Sequence, residues 1–525
     1  MYNFLIYYRN LKLDRESVKS KRTNIILLIN VLLVLAITYG LRAFSISDRP
    51  FHNDEGVNYF FMKSVLTNGI FNYSHENYHG PSYFYLLALT NYIFGTSDFT
   101  IRLASIIPSL VLVPFLLFSF NYVSISARTV AGLFLAISTT FVYYSRYSIH
   151  ESFLVVNGVL GIHFLFKWLL LKRHRDLIYL FFTIGLTIAT KETFIIHIFS
   201  LGIASFCVFS LPVVFKSLLN SKKTISWGIV FLCLPVFVLY SGFFQSLEGL
   251  REFFMGVPQW VGRGYSDGGH HKPYDYYVKL LDTTEPVALL GFVPAAFFIF
   301  YYLLDLLSKL RKTDSKNYST PSLFTVEEKA SYMFSLYAMV SLSVYSYVPY
   351  KTPWLIINIA VPSLIGLAFF ICAKIKNRIW MYVVAFFLSL NLTLMSLRYN
   401  YLPETLGPIN QIVDSKGVVG EFNPLAYVHT HSGMVESAER IVEYSRTHKN
   451  TRVLIGVSAY WPLPYYLREI DSQLMYAQGS DPQKYFDSYS IIIVDKKWNV
   501  EKEGWDKEYV RLSDNQESYV YTVRD

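Results

Sequence analysis

The stretch Arg49-Pro50-Phe51-His52-Asn53-Asp54-Glu55-Gly56 puts a histidine and two adjacent carboxylates just after the first long apolar run, Asn24 to Phe44. Carboxylates at a membrane edge are costly to keep and are retained mainly for a site. A carboxylate placed there can take the proton of an attacking hydroxyl or amide. Four more polar clusters follow: Arg146 with His150 and Glu151, the pair Lys191-Glu192, the loop Gly268-Gly269-His270-His271-Lys272-Pro273-Tyr274, and Tyr350-Lys351. Their cations suit a phosphate anion and would stabilise that phosphate as the bond to it breaks. Acids and cations on one face therefore suit transfer of a group from a phosphate to an acceptor. The plainer reading of each cluster is lysine snorkelling at a helix end or an exposed ion pair.

These residues need a membrane scaffold to bring them together. Of the 525 residues, 53% are hydrophobic and only 16% charged, and long apolar runs recur over the first three quarters. That composition places the chain among polytopic membrane proteins. A net charge of +9 would suggest nucleic acid in a soluble protein. Here the basic residues sit in short loops between apolar runs, so they read as topology determinants and no nucleic acid is expected. Cys207, Cys233 and Cys372 all lie inside apolar runs, which leaves neither a disulfide framework nor a zinc-finger spacing.

The basic tail, residues 1–23, stays in the cytoplasm by the positive-inside rule, and the first span is a retained anchor. Eleven spans put the basic loops inside: Asn24–Phe44, Ile101–Phe120, Thr129–Tyr144, Ser152–Leu171, Leu177–Thr190, Thr193–Phe215, Ile225–Gly242, Pro286–Leu307, Ala330–Val348, Pro353–Cys372 and Ile379–Leu397. The run Pro81 to Gly95 is too short to span and is expected as an interfacial or re-entrant helix. Two long loops, 45–100 and 243–285, then face outward from the membrane region 24–397. In the tail, 398–525, strand-like runs Arg452–Val457 and Ser490–Val494 alternate with a helical pattern over Val435–His448, which predicts a small extracytoplasmic α/β domain.

His75-Glu76-Asn77-Tyr78-His79 matches the zinc-protease pattern H-E-x-x-H. That chemistry needs one continuous helix, and Gly80-Pro81 follows at once, so a protease is not expected. A divalent ion held by Asp54, Glu55, Glu76 or His270 is the looser alternative. Oxygen ligands would select Mg or Mn, and added histidine would favour Zn. His163 and His197 read as packed core histidines, His429-Thr430-His431 as a surface loop, and the many Tyr and Trp residues near span ends as an interfacial belt.

Several motifs carry a resemblance: His52-Asn53-Asp54-Glu55-Gly56, Tyr78-His79-Gly80-Pro81, Phe94-Gly95-Thr96-Ser97-Asp98-Phe99, Ser145-Arg146-Tyr147 with His150-Glu151, Thr190-Lys191-Glu192-Thr193, Gly269-His270-His271, Lys351-Thr352-Pro353-Trp354-Leu355 and Tyr460-Trp461-Pro462. The chain resembles the GT-C membrane glycosyltransferases, which include protein O-mannosyltransferases and lipid A aminoarabinose transferases. It looks most like the flippase-activity-associated proteins of archaeal N-glycosylation. The resemblance implies a GT-C-like polytopic α-helical membrane protein with Asp54 as the catalytic acid of the first outer loop, Glu151 as a second acid, and Lys191 and Arg146 as carrier-phosphate contacts. The first loop lacks a D-x-D pair, which argues against tight metal dependence.

Together these point to an inverting glycosyltransferase of the cytoplasmic membrane, with its active site on the extracytoplasmic side. The donor is a polyprenyl-phosphate-linked sugar, and the acceptor a lipid-linked glycan, a surface polymer or a protein. Asp54 would be the base, with Glu55 and Glu151 orienting substrate or ion. Arg146, Lys191, Lys272 and Lys351 would hold phosphate. His52, His79, His150, Glu192, His270, His271 and Tyr350 would line the substrate site. A flippase or flippase accessory is the rival class, and a scaffold the third. Mid-span charge pairs and broken spans would favour transport; the clearest mid-span charge is Lys167, near its span's inner end.

Overall fold

The computed structural model describes residues 21–76, 79–265, 270–311, 324–402, 412–414, 417–419, 423–427, 430–513 and 516–524. Gly268, Gly269, His429 and most of the basic tail lie outside them. Six helices are long and apolar enough to cross a membrane: Asp98–Ser119, Glu151–Leu171, Lys222–Tyr240, Pro286–Leu307, Pro353–Lys374 and Arg378–Tyr401. The count rises to eight if the bent pairs Ile125–Ile137 with Thr139–Ser145 and Phe194–Phe209 with Leu211–Leu219 are each one span. The chain is thus a multi-pass membrane protein, but the described helices do not reach eleven spans. The remaining three expected spans are helical too. Lys21–Ala43 is a helix of 23 residues, apolar over Leu28–Ala43. His174–Ile188 has only 15 residues, and Val326–Tyr347 carries Glu327, Glu328 and Lys329 in its first turn.

The helix Ser82–Phe94 has 13 residues, about 20 Å at 1.5 Å per residue, against a hydrocarbon core of about 30 Å. It stops at Gly95, whose φ of +76° few other residues adopt. The bend of 57° between Ile125–Ile137 and Thr139–Ser145 frees backbone groups inside the bundle. Ser138 satisfies the N–H of Phe141, and the buried Glu285 carboxylate accepts from the N–H groups of Thr139 at 2.9 Å and Thr140 at 3.3 Å. A broken helix persists in a bundle only where such partners exist.

The C-terminal region adds a hairpin, β1 (Ile412–Asp414) with β2 (Gly417–Val419), and a five-stranded sheet. The sheet is built from β3 (Val453–Ile455), β4 (Leu474–Tyr476), β5 (Ile491–Asp495), β6 (Trp505–Ser513) and β7 (Gln516–Val523), in the order β4-β3-β5-β7-β6. β3 pairs in parallel with β4 and β5, whereas β7 is antiparallel to β5 and β6. Ile491 and Ile493 face the cluster formed with the helix Ser432–Thr447, and Ile492 and Val494 face the cluster with Phe486, Trp505 and Tyr521. Burial on both faces explains why β5 reads as an unbroken apolar run.

This region is clamped to the helix Asn53–Asn68. The Phe51 N–H donates to the Tyr466 hydroxyl at 2.6 Å, the Tyr465 hydroxyl donates to Asp98 at 2.5 Å, and the Phe51 and Tyr465 rings stack at 4.2 Å.

Candidate functional site

The helix Asn53–Asn68 begins with a capping box. His52 Nδ1 accepts the Asp54 N–H, and the Glu55 carboxylate accepts the His52 N–H. Side chains of adjacent helical residues do not face each other, and here that separates two carboxylates into two environments. Glu55 is fully buried. It takes Arg102 Nε at 2.8 Å, Arg102 Nη2 at 2.9 Å and the backbone N–H of Ser148 at 2.9 Å. Burial alone would raise its pKa; Arg102 and the two backbone amides hold it below the usual carboxylate range. Asp54 is half-buried, and the Asn53 amide at 3.2 Å is its carboxylate's hydrogen-bond donor among the described residues.

Three distant segments meet beside Asp54. His52 Nε2 lies 2.7 Å from the Tyr427 carbonyl, and His270 Nδ1 lies 2.7 Å from the Tyr427 hydroxyl. His271 and Tyr350 form an antiparallel bridge. Lys351 donates its backbone N–H to the His270 carbonyl and its ammonium to the carbonyls of Lys272 at 3.1 Å and Val348 at 2.6 Å. The Lys272 ammonium lies 5.6 Å from the Tyr427 ring, and Trp354 stands edge-on to both His52 and Tyr427. Burial, with Tyr350 and Asp54 nearby, pushes the Tyr427 phenol up. So the structure brings His52, Asp54, His270, His271, Lys272, Tyr350 and Lys351 together. It adds Tyr427, which no sequence signal marked, and Trp354, visible only as part of a motif.

A second polar group surrounds Glu151. Its carboxylate pairs with the Lys191 ammonium, and both are buried. Glu192 pairs with His79 at 3.0 Å. The His79 and His150 rings are 4.8 Å apart, and His150 Nε2 has no partner among the described residues. Burial acts to lower the Lys191 pKa, but Glu151 and Glu192 outweigh it and hold the ammonium up. Burial, with His79 and Lys191 adding to it, pushes His150 well down. Two backbone bonds, Gly80 N–H to the Thr190 carbonyl and Ser82 N–H to the Ala189 carbonyl, zip these loops together. A Cβ at Gly80 would lie 2.2 Å from the Ala189 oxygen, so only glycine allows this approach.

Arg146 stands apart from both groups. Its guanidinium donates to the carbonyls of Phe44 and Ser45, each at 2.9 Å, and stacks on Tyr401. Burial brings its pKa down to about 10. His75 pairs with Glu252 and sits with Glu76 in a turn instead of a helix. Among the described residues no three His, Cys, Asp or Glu side chains converge as metal ligands. Glu55 is taken up by Arg102, and Asp54, Glu76 and His270 do not meet as a set, so these residues do not fit a divalent ion.

Residues 78–240 match the family model described as dolichyl-phosphate-mannose-protein mannosyltransferase. No curated protein matches the sequence. The fold is similar to that of ArnT from Cupriavidus metallidurans bound to undecaprenyl phosphate, at 13% identity and a TM-score of 0.57, covering 95% of this chain and 98% of that one. The apo form of the same protein gives 12% identity and a TM-score of 0.58, with the same coverage. The family match thus lies on one stretch of the membrane region, whereas the likeness in fold runs over nearly the whole chain.

Proposed function

We propose that the chain transfers a sugar from a polyprenyl-phosphate-linked donor to a lipid-linked glycan, a surface polymer or a protein, on the extracytoplasmic side of the cytoplasmic membrane. The observation that carries this reading is the contrast within one helical turn: Glu55 is saturated by donors while Asp54 keeps an open carboxylate beside a wall of aromatic and basic groups. The undecaprenyl phosphate bound to ArnT supports the class of carrier. Asp54 takes the proton of the acceptor hydroxyl or amide. The acceptor atom attacks the anomeric carbon, the bond from that carbon to the phosphate oxygen breaks, and the electron pair leaves on the phosphate. Attack opposite the leaving group inverts the anomeric configuration. Lys272 holds the departing phosphate, and Trp354 with Tyr427 offers apolar faces for the sugar ring.

The test is transfer by purified protein from a short-chain polyprenyl-phosphate sugar. Asp54→Asn keeps shape and hydrogen bonding but removes the charge. Turnover should fall roughly 10²–10⁴-fold, the worth of a positioned acid–base group. Unchanged turnover would remove Asp54 as the base.

A further inference from the structure

Arg42, Arg49, Arg102 and Arg146 gather at the end of the bundle that carries the first loop. Three of them are engaged by the protein. Arg42 donates to the carbonyls of Thr38, Leu135 and Ala136. Arg102 holds Glu55 and the carbonyls of Ile46 and Pro50. Arg146 holds Phe44 and Ser45. Arg49 differs. Its guanidinium lies 4.6 Å from the Tyr143 ring centre and 4.1 Å from that of Tyr147. It donates to no carbonyl or carboxylate among the described residues: its side-chain hydrogen bond goes to Tyr143, and its Nε, like those of Arg42 and Arg146, is buried without a partner.

The setting is rigid. Arg146 pins the backbone just before Arg49, at Phe44 and Ser45, and Arg102 pins Ile46 and Pro50 around it. The side chain is only 9% exposed. Two aromatic faces offset part of the loss of water around a guanidinium, and Tyr143 takes one of its hydrogen bonds, which leaves the buried Nε–H without an acceptor. A desolvated cation with unused donors is expensive unless an anion completes it. Tyr147 also packs 5.8 Å from the His52 ring, and His52 rests on Tyr427, over which Lys272 lies. Arg49 is therefore continuous with the wall that flanks Asp54, five positions before it on the same loop.

We propose that Arg49 is the arginine that binds the phosphate oxyanion of the lipid-linked donor, the part that the sequence suggested for Arg146. This rests on the polyprenyl-phosphate reading above. Its planar fork matches two phosphate oxygens, and it stabilises the charge that builds on them as the sugar leaves. The stacked tyrosines fix the plane of the fork before the donor arrives.

The experiment measures binding of a short-chain polyprenyl phosphate, and of the matching polyprenol, to the full chain in lipid nanodiscs. Arg49→Gln should weaken polyprenyl phosphate binding about 10- to 100-fold, the scale of a lost hydrogen bond to a charged group, and leave polyprenol binding unchanged. Arg49→Lys keeps the charge without the fork and should recover part of the loss. It also serves if Arg49→Gln does not fold. Polyprenyl phosphate bound equally by wild type and Arg49→Gln, or an Arg49→Lys variant with full affinity where Arg49→Gln is unfolded, overturns the assignment while leaving the donor reading intact. A wild-type protein that does not prefer polyprenyl phosphate over polyprenol overturns the donor reading, and Arg49's part with it.

Discussion

The wall around Asp54 and the group around Glu151 are made of the same residue types, yet they differ in how their charges are used. In the Glu151 group, Glu151 faces Lys191 and Glu192 faces His79, so each carboxylate has a cationic or ionisable partner from the chain itself. Around Asp54, contacts run through backbone carbonyls and ring faces, which leaves the Asp54 carboxylate and the Lys272 ammonium outside any ion pair among the described residues. A closed group holds loops together; an open one can receive a ligand. Charge in the sequence marks both kinds equally, and only the partners tell them apart.

Glu55 gives the sharpest way to break this comparison, because it sits beside Asp54 in sequence but behaves like the Glu151 group. Glu55→Gln leaves Arg102 buried without its counter-charge and should cost about 3–5 kcal/mol, read as a large drop in thermal stability in detergent. The pH dependence follows from the same pair. The folded pKa of Glu55 lies below its unfolded value, held there against burial by Arg102 and two amides. Its contribution is fully present above the unfolded value, about pH 4.3, and is lost as pH falls through the folded one. Wild type should therefore lose stability on acidification below about pH 4, and Glu55→Gln should lose less over that window. A Glu55→Gln protein as stable as wild type but unable to transfer sugar would instead place Glu55 in the chemistry.

The Glu151 group should respond more weakly. Glu151→Gln removes one partner of Lys191, but Glu192 remains close enough to hold the ammonium up. The expected loss is about 1–3 kcal/mol of stability, with affinity for a polyprenyl phosphate unchanged. The companion variant Lys191→Gln decides the matter. If it weakens carrier binding tenfold in protein of normal stability, Lys191 contacts the phosphate, and the group is not closed at all.

The multi-pass helical architecture was legible because apolar runs and basic loops are set by the bilayer and act locally. The span count was less so: His174–Ile188 is apolar but short, and Val326–Tyr347 is long but charged at its start. Length and polarity must both be met, and packing against neighbours excuses either. Within the site, the stretch from His52 to Glu55 announced itself through residue type. The division of labour between Asp54 and Glu55 did not, since it depends on Arg102 and Ser148, which lie far along the chain. Tyr427 was invisible for the same reason, and Arg49 looked like one more flanking basic residue until its neighbours proved to be two tyrosine faces.

The smallest effects test whether the C-terminal region merely covers the Asp54 helix or shapes the wall beside it. A Cβ at Gly56 would lie 2.5 Å from Pro462 Cβ and 2.7 Å from Pro462 Cα. Backbone atoms cannot swing aside, so Gly56→Ala must push the two segments apart, at about 1–3 kcal/mol for overpacking. Lys63→Ala is the control at the same junction. It removes the pair with Asp471, whose side chains are 44% and 51% exposed, and such surface pairs contribute about 0–1 kcal/mol. If the region only covers, both variants should keep the wild-type KM for the donor, and Gly56→Ala should show a lower melting temperature alone. If Tyr427 helps to shape the wall through its bonds to His52 and His270, Gly56→Ala should raise the donor KM several-fold with kcat nearly unchanged, and Lys63→Ala should move neither. The second pattern is the one expected here, because the Tyr427 carbonyl and hydroxyl each meet a histidine of the wall, so a shift of that segment reaches the donor's surroundings before it reaches Asp54.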